Sequence, residues 1–527
     1  MEDEDMSKNI ILCFDGTCND PEDSIQTVHA LGSVEDQNIT NVLKLHLLLG
    51  GNLKGKVDVS DQMSFYYSGV GTYGNLFQRL RNMLKAPERE DVGTIIKRAI
   101  KDIYTYFKPG DQLFVFGFSR GSAIARRFVA VLKNTLPALG MDVPEIRFMG
   151  VFDTVAAINK PNLTKKDILP ASDVVFENQT ISPLIKEALH IVSLDERRVP
   201  FFPTLMNRDG KRVTEIWFPG VHADIGGGFH YDGLSDLSLQ FMLDEFVRRD
   251  LKLKILTPAS VNFSDLFDDD KDEVIEYRDL AIQPNHMGKC HQQHAITFIK
   301  EAFLGHRCPR VNVNDKQSVY SPLIHHSVFD RMVDNPEYDP TPLRSHMMNS
   351  YTGGLVKFRV WYGPGQEVEY DNLLDAKLSA VHQPAELNKG EGRQFSVYAN
   401  QRFSSSRILV TKGKTYRFEI NPDQLWYDGD IPATPLGWKK KNKKDMAFYT
   451  KLFIKSKEDN RRHPEAEWFE VIGTVSRNET SLIRITQFTN TPWKASESGV
   501  FYAFPNDLVS KYGNNLGSIQ VTITRVD

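Results

Sequence analysis

No apolar stretch among the 527 residues approaches the roughly 20 that a membrane-spanning helix requires. Cysteine is scarce. Cys13, Cys18, Cys290 and Cys308 are the whole complement, too sparse and irregular for a disulfide framework. Neither charge sign dominates: the net charge is −4, so no overall basic field draws the chain to nucleic acid or to acidic lipid. Internal repeats and low-complexity tracts are missing. The first residues, MEDEDMSKN, lack the basic and apolar start of a secretory signal. The expectation is a chain made in the cytoplasm that reaches any other compartment without a cleaved signal.

What is present is ordinary globular composition, 41% hydrophobic and 25% charged, which excludes the low-hydrophobicity signature of disorder. At roughly 150 residues per domain, the length allows two to four domains. Two local clusters each have two readings. The basic run KKKNKK at 439–444 is a solvated loop or a contact for lipid headgroups. Cys290, His291, His294, His306 and Cys308 are ligand types that zinc accepts, but no paired C-x-x-C spacing organises them. A His-rich segment packed beside the core is the simpler reading.

Up to about residue 250, short apolar runs alternate with helical patterns, as a mostly parallel sheet requires. Strands are expected at 10–14, 63–67, 112–116, 146–152, 188–194 and 215–218. A helix is expected over 91–107, where apolar residues recur at helical spacing. Polar or glycine-containing loops follow each strand, and such carboxyl ends are where open parallel sheets bind ligands. Residues 255–350 are more polar and lack period, which suggests an irregular or helical cap. From 355 onward short alternating strands suggest an all-β, sandwich-like tail. The expected organisation is a catalytic domain at 1–350 including that cap, connecting strands at 351–392, and a β-sandwich at 393–527.

The strongest chemical signal is Gly117-Phe118-Ser119-Arg120-Gly121, which follows an apolar strand and opens a helix. This is the setting of a nucleophile elbow, in which small glycines allow a sharp turn and the serine oxygen stands at the sheet's edge. It predicts an α/β-hydrolase fold with Ser119 as nucleophile in cleavage of acyl esters. A serine hydroxyl needs a histidine to take its proton, and the histidine needs an acid to orient it. His222, just past the strand at 215–218, is favoured as base; His325 and His326 compete. The glycines at 226–228 suggest a mobile loop that admits an acyl chain beside the imidazole. Asp153, framed by apolar residues at a strand end, is favoured as acid, because burial without a partner would be costly. Asp195, among Glu196, Arg197 and Arg198, reads instead as a surface ion-pair partner. Donors for the oxyanion are expected from the backbone of Arg120 and from Gly16 and Thr17 after the first strand. A simple tight turn is the other reading of Asp15-Gly16.

FDGT at 14–17, SGVGT at 68–72, GFSRG at 117–121, FDTV at 152–155, SLDERR at 193–198, WFPGVHADIGGG at 217–228 and HSVFDR at 326–331 occur in one order. In that order they resemble the alpha/beta-hydrolase family DUF2235, which includes the type VI secretion lipase effectors of the Tle1 class. The resemblance covers residues 8–345 and implies a triad of Ser119, Asp153 and His222. It further implies phospholipase A activity on membrane glycerophospholipids without a cofactor. Injection into a competitor's periplasm, a secretion spike partner and a cognate immunity protein are implied with it.

The tail is similar to another family. The stretch NDLVSKYGNNLGS at 506–518 resembles the terminal motif of small bacterial calcium-dependent galactose-binding lectins, and Arg462-His463-Pro464 resembles their sugar loop. The resemblance implies Ca²⁺ held by side-chain oxygens of Asp507, Asn514 and Asn515 and by the carbonyls of Lys511 and Tyr427. It also implies a glycan contact from His463. Ala466 departs from the pattern, standing where that family has glutamine. Turn chemistry kept for structural reasons is the alternative. For the whole chain the competing readings are an adaptor carrying a degenerate hydrolase core, and a hydrolase that degrades membranes in its own cell.

Overall fold

Strand β1 (Asn9–Phe14) shows why its run is apolar without interruption. Ile10, Leu12 and Phe14 enter one core cluster, whereas Ile11 and Cys13 enter another on the opposite face. A strand buried on both faces has no solvent side on which to place polar residues. The computed structural model describes residues 7–16, 26–28, 34–36, 39–54, 60–69, 88–155, 181–229, 232–266, 275–291, 304–335, 337–344, 357–380, 384–429, 431–438, 457–512 and 515–527.

The chain divides into two compact units, Met1–Thr27 with Glu35–His286 and Cys290–Ala380, and Val28–Val34 with Met287–Lys289 and Val381–Asp527. The first is built on a nine-stranded sheet. Its further strands are β2 (Gln62–Tyr67), β3 (Gln112–Phe118), β4 (Ile146–Phe152), β5 (Ala188–Ser193), β6 (Val213–Phe218), β7 (Leu323–His325), β8 (Phe358–Gly363) and β9 (Gln366–Tyr370). The spatial order is β9-β8-β7-β6-β5-β4-β3-β1-β2, parallel throughout except for the β8–β9 hairpin.

Helices cover both faces. On one, α2 (Glu88–Tyr106) and α3 (Ser119–Ala138) bury Ile96, Ile103, Phe128 and Leu132 against Leu12, Leu113 and Val151. On the other, α1 (Asn41–Leu48) and α5 (Gly233–Arg248) bury Val42, Leu45, Met242 and Phe246 against Phe114, Phe116 and Phe148. Each such side chain contributes roughly 2 kcal/mol by leaving water, so neither face of the sheet is left bare. Among the described residues no helix is long and apolar enough to cross a membrane.

Two expectations are corrected here. The segment 255–350 is more than a cap, because it supplies β7 and the helix α6 (Ser327–Asp334). The stretch 351–392 is more than a connection, and the strand at 358–363 does not belong to the tail. β7, α6 and β8 form a parallel crossover; Phe358 and Val360 pack with Ile324, Phe329 and Trp217. β9 and the helix α7 (Leu373–Ala380) complete that edge, so the first unit runs to Ala380.

The second unit is a pair of β-sheets. One joins β10 (Gly392–Tyr398), β18 (Ser518–Arg525) and β12 (Thr415–Glu419) with Trp493–Lys494. The other joins Ala385–Glu386 with β11 (Ser404–Val410), β17 (Gly499–Pro505), β15 (Val471–Val475) and β16 (Leu482–Arg484). A small third sheet holds β13 (Trp426–Asp428) and β14 (Ile431–Thr434) with Gly437–Trp438. In β18, Ile519, Val521 and Ile523 are buried at every second position and meet Ile408, Val475 and Phe501 of the facing sheet. That alternation is the sandwich signature.

Candidate active site

Neighbouring strands β3 and β4, and β6 on the far side of β5, end toward the same edge of the first unit's sheet, and each is followed by one polar residue of the site. Register places Phe118 of β3 opposite Phe152 of β4, and Phe152 opposite Ile191 of β5. Ser119 and Asp153 are therefore the first residues past neighbouring strand ends. β6 pairs with β5 and ends at Phe218, four residues before His222.

The turn from β3 into α3 is sharp. Ser119 has φ +56°, a left-handed backbone that L side chains adopt at a cost of about 1–2 kcal/mol. Both flanking glycines are demanded by close approach. A β-carbon on Gly117 would lie 2.7 Å from Ser122 Cα, and one on Gly121 would lie 2.2 Å from the carbonyl oxygen of Phe14. The elbow is thus wedged between its own helix and the end of β1.

His222 opens the short helix α4 (His222–Gly226). Its Nε2 lies 2.8 Å from Ser119 Oγ, and its Nδ1 lies 2.6 Å from Asp153 Oδ2. An ionised carboxylate only accepts, so Nδ1 carries the proton and Nε2 is left to accept from the serine hydroxyl. The imidazole packs against Phe118 and Phe201, with ring centroids 4.7 and 5.1 Å away. Burial lowers its pKa below the ordinary histidine value, against the opposing pull of Asp153. The ring is therefore neutral at neutral pH, the state a general base requires.

Asp153 is fully buried, and burial alone would raise its pKa. The guanidinium of Arg307 and the imidazole of His222 overcome that and hold the carboxyl well below the usual carboxylate range. Four donors meet its two oxygens. Oδ1 accepts from Ser193 N at 3.0 Å and Arg307 Nη1 at 2.6 Å; Oδ2 accepts from His222 and from Arg307 Nη2 at 2.9 Å. Arg307 also donates to the carbonyls of Ser193, at 2.7 Å, and Phe201. Glu196 adds a neighbouring buried charge: it accepts from His222 N at 3.2 Å and forms a fork with Arg198 through contacts of 2.9 Å. Sequence reasoning missed Arg307 and the Glu196–Arg198 pair. The motif SLDERR signalled that pair; no spacing rule pointed to Arg307, which is 154 residues from its partner.

The competing residues have other tasks. Asp195 is no surface ion-pair partner: its Oδ2 accepts from Gly220 N at 2.7 Å and Tyr338 Oη at 2.8 Å, and burial raises it to about 6. His325 stacks on Phe218 with centroids 4.1 Å apart and bonds Ser327 at 2.7 Å; His326 bonds Asp330 at 2.6 Å. The expected mobile loop after His222 is packed instead. A β-carbon on Gly226 would meet the Phe118 ring at 2.0 Å, and one on Gly227 would meet Asn41 N at 2.7 Å. The Gly16 N–H, expected as an oxyanion donor, donates in this structure to Asp15 Oδ1 at 2.6 Å. That carboxylate is held in turn by Thr40 at 2.5 Å and Tyr66 at 2.6 Å. Thr17 lies outside the described residues. Arg120 sits in the first turn of the 20-residue helix α3, where backbone N–H groups and the dipole's positive end face outward.

Of the other sequence clusters, His291 bonds Asp224 at 2.6 Å and stacks on Phe229, while Cys308 is buried. His294 and the run at 439–444 lie outside the described residues. In the second unit, Asp507 Oδ2 accepts from Asn515 Nδ2 at 2.9 Å and Asp507 Oδ1 from Leu508 N at 2.6 Å. Burial raises the Asp507 pKa, and Asn515 Oδ1 is buried without a hydrogen-bond partner among the described residues. A desolvated carboxylate beside an orphaned amide oxygen fits the hard-oxygen set that calcium takes. Tyr427 and Leu516 exchange two backbone bonds of 2.9 Å, which bring the Tyr427 carbonyl next to this segment. Asn514 lies outside the described residues. His463 N donates to Asn506 Oδ1 at 2.9 Å, and its buried Nδ1 has no partner among the described residues. Ala466, where the lectin pattern has glutamine, is buried with Ile472, Phe504 and Tyr512.

Comparison with known proteins gives one family match, which lies almost wholly within the first unit. Residues 8–136 and 137–245 match the family described as T6SS, Phospholipase effector Tle1-like, catalytic domain. An uncharacterized protein of Saccharomyces cerevisiae, YEL023C, is 26% identical over 245 residues, covering 37% of this chain and 32% of that protein. Among solved structures, an uncharacterized protein from Pseudomonas aeruginosa is similar at 19% identity, covering 48% of this chain and 47% of that one, with a TM-score of 0.31. The Tle1 effector bound to the VgrG spike of the type VI secretion system is similar at 25% identity, covering 42% and 51%, with a TM-score of 0.29. The chain thus spans about a third of the curated relative and about half of each of these solved chains.

Proposed function

We propose that the Tle1-like catalytic segment at residues 8–245 makes this protein a serine-dependent lipolytic esterase of the α/β-hydrolase type, a phospholipase A acting on membrane glycerophospholipids. The observation that carries the reading is the unbroken chain from Ser119 Oγ through His222 to Asp153, at 2.8 and 2.6 Å. Ser119 Oγ attacks the acyl carbonyl carbon while His222 Nε2 takes its proton. Asp153 keeps Nδ1–H in place and stabilises the imidazolium that forms. The tetrahedral oxyanion is met by the Arg120 backbone N–H at the helix start. Collapse breaks the ester bond; His222 returns the proton to the departing lysophospholipid oxygen, leaving an acyl-serine. Water, deprotonated by the same histidine, releases the fatty acid and restores the serine. No step uses a cofactor.

The family match supports a role as a type VI effector; on this reading the target is a competing bacterium, a spike protein is the carrier and an immunity protein is the guard. For the second unit the reading is a calcium-stabilised module that directs the enzyme to glycan. Asp507, Asn515 and Asn514 would hold the ion with the Lys511 and Tyr427 carbonyls, and His463 would touch the sugar. When bound, the ion would neutralise the buried Asp507 and offer coordination to sugar hydroxyls. Incubation with defined phospholipids, reading released fatty acid and lysolipid by mass, tests the enzymatic reading. Labelling by a fluorophosphonate probe separates it from an adaptor with a degenerate core: an unlabelled Ser119 would leave the adaptor standing.

A further inference from the structure

We propose that Arg307 is a positioning residue of the hydrolytic site, acting through Asp153 to aim the carboxylate at His222 and to set the pH at which the base is available. The inference rests on the serine-hydrolase reading and deepens it. Its ground is geometry. Arg307 lies beyond the matched family segment, its side chain has no solvent exposure, and its two terminal nitrogens reach the two oxygens of Asp153 at 2.6 and 2.9 Å. The same nitrogens bond the carbonyls of Ser193 and Phe201, so the fork is fixed in the plane it presents. A two-point, charged grip fixes the plane of the carboxylate more firmly than the single bonds from Ser193 N and His222 do alone.

The grip has an electrostatic consequence. Asp153 and His222 share one titrating proton as a pair. A fixed positive charge on Asp153 lowers the pair's proton affinity, so the imidazole stays neutral to lower pH. Among the described residues, the other charges facing the pair are Glu196, which favours the protonated ring, and Arg198, which opposes it. These two are forked together and largely cancel. Ser119, Ser193 N and the Phe118 and Phe201 rings carry no charge. Arg307 is therefore the charge that balances Asp153, and its removal leaves that carboxylate facing the imidazole without its counter-charge, which moves the pair in one direction, upward. Burial still lowers the His222 pKa, so the expected movement is moderate, about one pH unit.

The test uses the full chain with the variants Arg307→Met and Arg307→Lys, each titrated with a fluorophosphonate probe so that rates refer to reactive Ser119. Arg307→Met should lower kcat about a hundredfold per titrated site and shift the acid limb of kcat/KM up by about one pH unit. Arg307→Lys keeps the charge and loses the fork: kcat should fall about tenfold while the acid limb stays within about 0.3 of wild type. A structural role alone would reduce the titratable fraction and the melting temperature and leave both readouts unchanged per site; that result overturns the proposal. If Arg307→Met does not fold, Arg307→Lys decides: wild-type kcat per site refutes it. A wild-type protein that the probe does not label at Ser119 would fail the hydrolase reading instead, before any variant is compared.

Discussion

Gly121 lies against Phe14 so closely that a β-carbon on it would stand 2.2 Å from the Phe14 carbonyl oxygen, and 2.3 Å from that of Asp15. The contact joins the first turn of α3 to the end of β1, and both neighbours are backbone, which cannot rotate away. Gly121→Ala should destabilise the protein by about 2–4 kcal/mol and misplace Ser119. Gly140 is the control: its φ is +74°, but nothing lies within 4 Å of the added carbon, so Gly140→Ala should cost only about 1 kcal/mol. Urea midpoints of the two variants check the ranking, and equal midpoints would mean that the elbow is not wedged.

Ser119→Ala should abolish ester hydrolysis, by several powers of ten, and leave the melting temperature within a few degrees of wild type. The hydroxyl is the proposed nucleophile, and its loss removes one hydrogen bond and little packing. Activity within a few fold of wild type would remove the whole catalytic assignment.

Among the histidines and acids, damage should rank by contact with the serine chain. His222→Ala should match Ser119→Ala, whereas His326→Ala, which breaks a bond to half-buried Asp330, should be mild. Asp153→Asn should lower kcat by at least a thousandfold, because an amide can donate to Nδ1 and fix the wrong tautomer. Asp195→Asn, which affects Gly220 and Tyr338, should cost less than tenfold in kcat. Steady-state rates on a short-chain ester give the ranking; a reversed order within either pair refutes the assignment.

The pH profile follows from the sign of the His222 shift. Burial holds the folded pKa below the ordinary histidine value of about 6.5, so the base remains unprotonated below that pH. The acid limb of kcat/KM should have its midpoint below about 6.5 and fall tenfold per pH unit beneath it. The same sign governs folding: the unfolded chain takes up this proton first, so the histidine's contribution to stability is lost as pH falls below about 6.5. An acid limb centred above pH 7 contradicts the burial argument.

In the second unit, the Asp507→Ala, Asn515→Ala double variant should lose calcium binding while Ser119-dependent hydrolysis of a soluble ester continues. Calcium at a hundredfold its Kd should stabilise the wild-type module by about 2.7 kcal/mol, and the variant not at all. Titration calorimetry and melting curves with and without chelator measure both. No heat of binding in the wild type would reduce this segment to sandwich turns.

Much of the site was legible because each of its parts carries a local signature. Apolar runs marked β1, β3 and β4 to within two residues, and the polar residue just past β3 and just past β4 is Ser119 and Asp153 in turn. What was hidden depends on distant chain. β7 is three residues long, too short to show a period, so the crossover it begins was read as cap and linker. The bend of Asp15 onto Gly16 N is a side-chain choice that no spacing encodes. Glycines at 226–227 look like freedom in sequence, whereas in the fold they make room for Phe118 and Asn41.

The nine-stranded sheet does not stop where the family match stops. β7, β8 and β9 are contributed by residues 323–370, far past residue 245, and β7 pairs directly with β6. A protein cut after Arg248 would leave β6 as a raw edge, with Ile216 and Trp217 losing the neighbours that cover them. Unpaired apolar edges recruit strands from other molecules. Such a fragment should therefore be recovered as aggregate, and limited proteolysis of the intact chain should spare the sheet up to Ala380.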